Sequence, residues 1–356
     1  MHYHIILTEV CNLKCKYCYE KSMKEFENGL EEKWDYDQET PFDSEVSVGR
    51  LRKLLKPTDT LIFYGGEPLV RIEKMKEIMD NVDCHFMIQT NGIFLNKVPF
   101  DYIERLDKML VSIDGTRSRD MENKGPLHYD KVVENVRMLR EKGYAGEIVA
   151  RMVISKPDVY EQVQAILDLG LFDSVHWQID AGFYKNDFDL EKFSKFVGEY
   201  NASIDRLLDW WFLELENKNR IMLYPFVGIL NRIKGWDKET RLPCGAGFSN
   251  FTINTKGDLS ACPIMNSVSN FYCGSVEKGI DVERRVPGCE NCSYKNICGG
   301  RCLYWREAKL WPKEGDDLIC KTIKHLIEGI RKRSEGLELR EEDFEYEKYF
   351  GPEIIP

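Results

Sequence analysis

The stretch TEVCNLKCKYCYE, residues 8–20, places three cysteines, Cys11, Cys15 and Cys18, within eight residues. Three thiolates are one short of the four that close a tetrahedral zinc site or fully ligate a cubane cluster. A Cys-x3-Cys-x2-Cys loop can wrap one corner of a 4Fe–4S cube and leave the fourth iron open. The spacing alone also admits a zinc site completed by a distant ligand, or buried structural cysteines. The loop follows a short apolar run, His4–Thr8, so it sits at the carboxyl end of a first strand. Further strands are expected at Thr60–Tyr64, His85–Thr90, Met109–Ile113, Ile148–Ile154 and Val175–Ile179. Helical periodicity lies between or after them at Ile72–Val82, Tyr129–Lys142, Val159–Leu169 and Leu190–Glu216. Such alternation over about 220 residues implies βαβ units and a parallel sheet, and six units make an α/β fold of the partial (β/α)6 barrel type. In parallel sheets the loops at the carboxyl strand ends carry the chemistry. Those loops hold the three cysteines, then GGEP (65–68), TNG (90–92) and DG (114–115).

The 356 residues allow one large domain and a smaller one. The formal net charge of −10 argues against a nucleic-acid binder, since a polyanion is held by a basic surface. No apolar run reaches the eighteen or so residues that span a bilayer, and the start MHYHIILTEV lacks the pattern of a signal peptide. The expectation is a cytoplasmic protein with no membrane partner. In that compartment thiols stay reduced, so cysteine-dense segments read as metal-binding. The twelve cysteines are unevenly spread: three at 11–18, then Cys84, then eight between 244 and 320. Two metal regions thus flank a cysteine-poor middle, with Cys84 a core residue. Residues 1–235 are assigned to the barrel, with a polar helical insertion at about 22–57. Residues 236–333 form a small cysteine-rich C-terminal domain, with a helix from Leu318 to Arg331, and residues 334–356 an acidic tail. The start of the barrel almost at residue 1 leads us to expect no preceding leader-peptide-binding domain.

CNLKCKYC, with the aromatic Tyr17 before its last cysteine, and GGEP after the second strand together resemble the radical SAM superfamily. The resemblance implies that Cys11, Cys15 and Cys18 hold a 4Fe–4S cluster whose open iron is chelated by S-adenosylmethionine (SAM). It further implies reductive cleavage of the sulfonium to methionine and a 5′-deoxyadenosyl radical, which takes a hydrogen atom from substrate. Gly65, Gly66 and Glu67 would contact the methionine amino group, Gln89 and Asn91 would lie near the ribose, and Ser112 and Arg151 match positions that touch the ribose or carboxylate. For Ser112 and Asp114 an ordinary strand-end turn is the equal alternative. Arg151, an arginine in an apolar strand, calls for a carboxylate partner, from cofactor or protein.

The C-terminal series is Cys244, then Gly257 and Cys262, then CENCSYKNICGGRC (289–302), then Cys320. It resembles the SPASM domain, the C-terminal extension of many radical SAM enzymes, at all seven cysteines; zinc ribbons are the alternative for the CxxC pair alone. The resemblance implies two auxiliary 4Fe–4S clusters, three in all. Cys289, Cys292, Cys298 and Cys320 would ligate the outer one, and Cys244, Cys262 and Cys302 the inner one. Cys273 is the spare thiol, expected to complete the inner cluster, with a free hydrogen donor or a packed side chain as the alternatives.

The family implies a peptide or small protein substrate and an electron donor such as ferredoxin or flavodoxin. The expected reaction is an oxidative modification, a thioether or C–C crosslink. Epimerisation and radical modification of a small molecule are the alternatives, and a non-catalytic electron carrier is the reading from another class. Sulfatase maturation is disfavoured, because Pro263 follows Cys262 where those enzymes carry an aspartate. No cobalamin-binding domain is evident. Asp180, His176 and Tyr184, around the end of the sixth strand, are candidate cavity residues, with Asp180 the catalytic candidate and a strand-end cap its plain reading.

Overall fold

The computed structural model describes residues 1–18, 33–180 and 188–344. Tyr184, and the tail beyond 344, lie outside the described residues. The strands are β1 His2–Thr8, β2 Thr60–Gly65, β3 His85–Thr90, β4 Lys108–Ser112, β5 Glu147–Ile154, β6 Ser174–Ile179 and the two-residue β7 Met222–Leu223. They lie side by side in chain order, all parallel. This sequential parallel order is that of the expected α/β fold, since each strand returns beside its predecessor through a crossover on one face. The principal helices are α1 Val48–Leu54, α2 Ile72–Asn81, α3 Arg117–Lys124, α4 His128–Glu141, α5 Val159–Leu167, α6 Leu190–Glu216, α7 Tyr224–Lys234, α8 Leu303–Ala308 and α9 Lys313–Ser334. Of these, α3, α7 and α8 have no counterpart among the expected helices.

Side-chain alternation along the strands separates two faces. Leu61 and Phe63, Phe86 and Ile88, Met109 and Val111, and Ile148 and Ala150 pack in the larger core, toward the helices. The residues between them, Ile62, Met87, Leu110 and Val149, form a separate buried cluster with Tyr224. Two residues further along each of these strands the inner face turns polar, at Tyr64, Gln89, Ser112 and Arg151, all lining one cavity. The amino end of the inner face is closed by buried Lys108, whose ammonium lies 2.7 Å from Glu147, with Tyr224 and Ser174 also bonded to Glu147. The inner face therefore opens at the carboxyl end, beside the cysteine loop.

The cysteine-rich region joins the same sheet. β8 Asn250–Ile253 pairs parallel with β1, and β9 Asp258–Ser260, β10 Tyr272–Ser275 and β11 Gly279–Ile280 extend it antiparallel. The His4 ring lies 3.1 Å from Asn250 Oδ1, and the Asn250 side-chain amide donates to the Cys244 carbonyl. This pairing carries Cys244 to the edge of the first strand.

The expected helical insertion needs correction within its described part. Residues 33–57 are helical only over α1; Tyr36 instead bridges Val268 and Asp43 bridges Thr8. Trp34 packs edge-on to Phe271 at 4.8 Å and lies near Tyr304. The stretch lacks an apolar face at helical spacing and uses single bridges and one buried indole to tie the first strand to the cysteine-rich region. Near the end of the described chain Phe344 is buried against Trp211 and Trp236. Among the described residues no helix is long and apolar enough to cross a membrane.

Candidate active site

The three loop thiols lie above the open inner face. β1 ends at Thr8, and the chain turns across the end of β2, where Gly66 N–H donates to Thr8 O at 2.9 Å and Glu67 N–H to Val10 O at 3.0 Å. A Cβ on Gly65 would stand 2.2 Å from Thr8 O, and one on Gly66 2.6 Å from Glu9 O. Gly65 also has φ of 142°, which favours glycine. The close approach that these glycines permit is thus to the backbone of the cysteine loop. Both also line the cavity.

Glu67 is buried and accepts three hydrogen bonds: Leu69 N–H at 3.0 Å, Thr90 Oγ1–H at 2.7 Å and Asn91 N–H at 2.7 Å. Burial pushes its carboxyl up to about 7, against the pull of those donors. One carboxyl group therefore locks the end of β2 to the end of β3. A folded-state value of about 7 against an ordinary 4.5 means the native chain holds a proton that the unfolded chain has lost. Stability is expected to fall as pH rises from about 4.5 to 7, and Glu67→Gln should abolish that slope. Because the amide sets a donor against one of three donors, E67Q should also cost about 1–3 kcal/mol in urea unfolding at acidic pH. A pH-independent wild type would contradict this.

Asn91 follows β3. Its amide donates to Asn12 Oδ1 at 2.8 Å and reaches Cys11 Sγ at 3.9 Å. Asn91, expected near a ribose, thus also holds the cysteine loop.

Beneath Cys15 and Tyr17 lies a buried charged network that periodicity did not reveal. The Tyr17 hydroxyl donates to Asp114 Oδ2 at 2.7 Å. Lys124, at the end of α3, reaches Asp114 at 2.5 Å and Asp120 at 3.0 Å. His128, at the start of α4, contacts Asp120 at 2.5 Å and the Asn91 carbonyl at 2.9 Å. Burial alone would lower the Lys124 ammonium, but Asp114 and Asp120 outweigh it and hold it above its ordinary value. The Lys124 ammonium stands 5.6 Å from the Tyr17 ring centre. Lys16 N–H donates to the Asn123 carbonyl at 3.0 Å, so the loop is anchored to α3. The only sequence signal was DG at 114–115; nothing in spacing joins Asp114 to Lys124 or His128.

All of these elements bound one cavity of about 280 Å³. Cys11, Cys15, Cys18 and Tyr17 line it, with Gly65, Gly66 and Glu67. So do Gln89, Asn91, Ser112 and Arg151, and Asp180 and His176 from the end of β6. Cys244, Cys262 and Cys302 line the same cavity, although they lie more than two hundred residues from the loop. Burial pushes the Cys15 thiol up to about 12, so a metal would have to displace its proton.

The remaining cysteines sit elsewhere. Cys289 lies close enough to interact electrostatically with both Cys292 and Cys320, and Cys298 with Cys320, so the four gather as one group. Cys273 is absent from the cavity lining. It is buried on β10, 3.4 Å from the Phe271 carbonyl and against Arg284. Its side chain belongs to the hydrophobic core, the setting of the packed alternative, at the irregularity between Tyr272 and Gly274 where β10 pairs with β9. Cys84 is half-buried against the core, as expected. Among the described residues no three His, Cys, Asp or Glu side chains close on one point as a single ion would require. Thiols at the corners of a cube stand further apart than thiols around one ion. The all-thiol donor set of Cys11, Cys15 and Cys18 on this cavity is of the type that takes an iron–sulfur cluster.

The radical SAM superfamily profile matches residues 5–170. A cysteine-type anaerobic sulfatase-maturating enzyme of Clostridium perfringens (strain ATCC 13124, Type A) is 21% identical, over 89% of this chain and 92% of the relative. The antilisterial bacteriocin subtilosin biosynthesis protein AlbA of Bacillus subtilis is 24% identical, over 91% of this chain and 71% of the relative. The solved structure of native anSMEcpe with bound AdoMet and Cp18Cys peptide superposes with a TM-score of 0.67 at 17% identity, covering 93% of this chain and 97% of the other.

Proposed function

Because residues 5–170 of this chain are a radical SAM domain, we propose that the protein abstracts a hydrogen atom from a peptide or small protein and modifies it oxidatively, forming a thioether or C–C crosslink. The observation that carries the reading is the single cavity bounded at once by Cys11, Cys15 and Cys18 and by Cys244, Cys262 and Cys302. An iron–sulfur cluster at the first set, with SAM on its open iron, would supply a 5′-deoxyadenosyl radical, and clusters at the C-terminal sets would take up the electron that an oxidation leaves behind.

The chain's own residues do the rest. Gly65 and Gly66 let the cysteine loop lie directly on β2, and Glu67, Asn91 and Lys124 hold that loop in place. Tyr17, Gln89, Ser112 and Arg151 present polar groups around the carboxyl end of the sheet, where the amino and carboxylate groups, ribose and base of SAM would be held. Asp180, exposed at the rim after β6 and lining the cavity, would accept the proton that leaves with the electron. The closed amino end of the barrel keeps water from entering beneath the site. AlbA and the peptide-bound anSMEcpe support a peptide substrate by likeness. Pro263, on the cavity beside Cys262, argues against sulfatase maturation. Ferredoxin or flavodoxin is the class of electron donor suited to such a centre.

Anaerobic incubation with SAM, a strong reductant and candidate precursor peptides tests the reading by mass. Release of 5′-deoxyadenosine with loss of two hydrogens from the peptide is the expected result. Deuterium uptake from heavy water at otherwise unchanged mass means epimerisation, and absence of 5′-deoxyadenosine rejects the proposal.

A further inference from the structure

Between the two C-terminal cysteine groups lies Arg301. Its side chain is fully buried, an ion pair to Asp316 satisfies Nη2, and among the described residues Nε and Nη1 have no hydrogen-bond partner. Leaving such donors unmet in the interior is costly, so the geometry calls for acceptors that the described residues do not provide. The backbone points the same way. Arg301 adopts φ of 73°, directly after Gly299 and Gly300, both also left-handed. Glycine would be relaxed there; an arginine is kept at the expense of backbone strain.

The surroundings identify the acceptors. Arg301 precedes Cys302 and lines the cavity with Cys244, Cys262 and Cys302. On its other side its charge opposes the burial that raises the Cys289 and Cys298 thiols. Asp316, in the first turn of α9, fixes this arrangement: it also accepts from Trp305 Nε1–H at 2.8 Å and pairs with Arg306 at 2.8 Å. Arg306 in turn reaches Cys320 Sγ at 3.5 Å. The Arg301 guanidinium lies 4.9 Å from the Trp305 ring centre, which blocks its withdrawal toward solvent.

We propose that Arg301 couples the two C-terminal metal sites, donating N–H groups to sulfur of the cluster at Cys244, Cys262 and Cys302 and sharing its charge with the cluster at Cys289, Cys292, Cys298 and Cys320. The inference rests on the proposed auxiliary clusters. A buried cation beside an anionic cluster stabilises its reduced form more than its oxidised form, so Arg301 raises both reduction potentials and eases the uptake of an electron from the cavity.

The test is an EPR-monitored redox titration of the full chain, reconstituted anaerobically, for wild type, Arg301→Gln and Arg301→Lys. It is repeated with Cys11, Cys15 and Cys18 all replaced by alanine, so that only the C-terminal sites contribute. R301Q is expected to shift the reduction equilibrium of the C-terminal sites at least tenfold toward the oxidised form, about 59 mV for a one-electron couple. The signal from Cys11, Cys15 and Cys18 should not move. R301Q with wild-type iron content and unmoved potentials overturns the inference. Should R301Q lose iron, R301K decides, because a compact ammonium cannot serve both sites: a fall at one or both supports the coupling, and wild-type potentials at both overturn it. If the triple-alanine chain holds no iron or sulfide, the auxiliary sites themselves are rejected, an outcome distinct from intact sites with unmoved potentials.

Discussion

Replacing Cys15 by alanine is expected to reduce release of 5′-deoxyadenosine to background and to remove about four iron atoms per chain. Cys15 is the central member of the loop, and its thiol is held beside Lys124 and Asp114. A cluster gripped by only three thiolates has no spare protein ligand when one is lost, and Cys84, the nearest other cysteine in sequence, sits at the start of β3, at the opposite end of the sheet from the loop. Cys84→Ala is the matched control and should keep wild-type iron, because that thiol packs against the core. Iron and sulfide analysis together with chromatography of the nucleoside products gives the answer. Equal iron in C15A and C84A would mean that the loop does not hold the cluster.

Lys124→Met is expected to lower the unfolding free energy by about 3–5 kcal/mol, since removing one partner of a buried ion cluster strands the others. Asp114 and Asp120 are both fully buried, and Lys124 is the ammonium between them. His128 contacts Asp120 alone of the two carboxylates, so Asp114 would keep only its hydroxyl, amide and backbone donors. The damage should reach the cysteine loop, because Tyr17 and Lys16 are anchored to the same network. K124M is therefore expected to take up less iron than wild type even where it is folded. Asp114→Asn in the K124M background should restore part of the stability, as it removes one stranded charge. Urea unfolding that gives K124M the stability of the wild type would show that the network carries no such weight.

The energetics of the two changes differ in kind. Cys15 acts through a bond to a group that the chain must acquire. Lys124 acts through the chain alone, so its effect on stability should persist before any metal is loaded.

Much of the barrel was legible in the residues. β3, from His85 to Thr90, and α6, from Leu190 to Glu216, have the expected limits, and the other long strands agree within one or two residues. Continuous β-branched runs and long amphipathic stretches are local patterns, and burial on both faces of a parallel sheet reinforces them. α3 was missed because its exposed-looking string RSRDMENK buries Arg119, Asp120, Asn123 and Lys124. A helix that buries charge against charge carries no apolar periodicity to read. The segment 33–57 was misjudged for the converse reason: its order comes from single bridges and Trp34, which have no period.

The residue types and spacings in the chain determined by themselves that Cys11, Cys15 and Cys18 form one group and that strand ends carry the polar side chains, because both are properties of neighbouring residues; the division of the C-terminal cysteines came from the resemblance. Tertiary structure alone decided that Cys244, Cys262 and Cys302 face the same cavity as Cys11, Cys15 and Cys18, that Cys273 turns into the core, and that Lys124 and Arg301 are buried beside these sites. Those facts depend on β8 pairing with β1 and on charges meeting across distant elements. Such contacts are selected by burial and complementarity in the folded chain, and no short stretch of sequence encodes them.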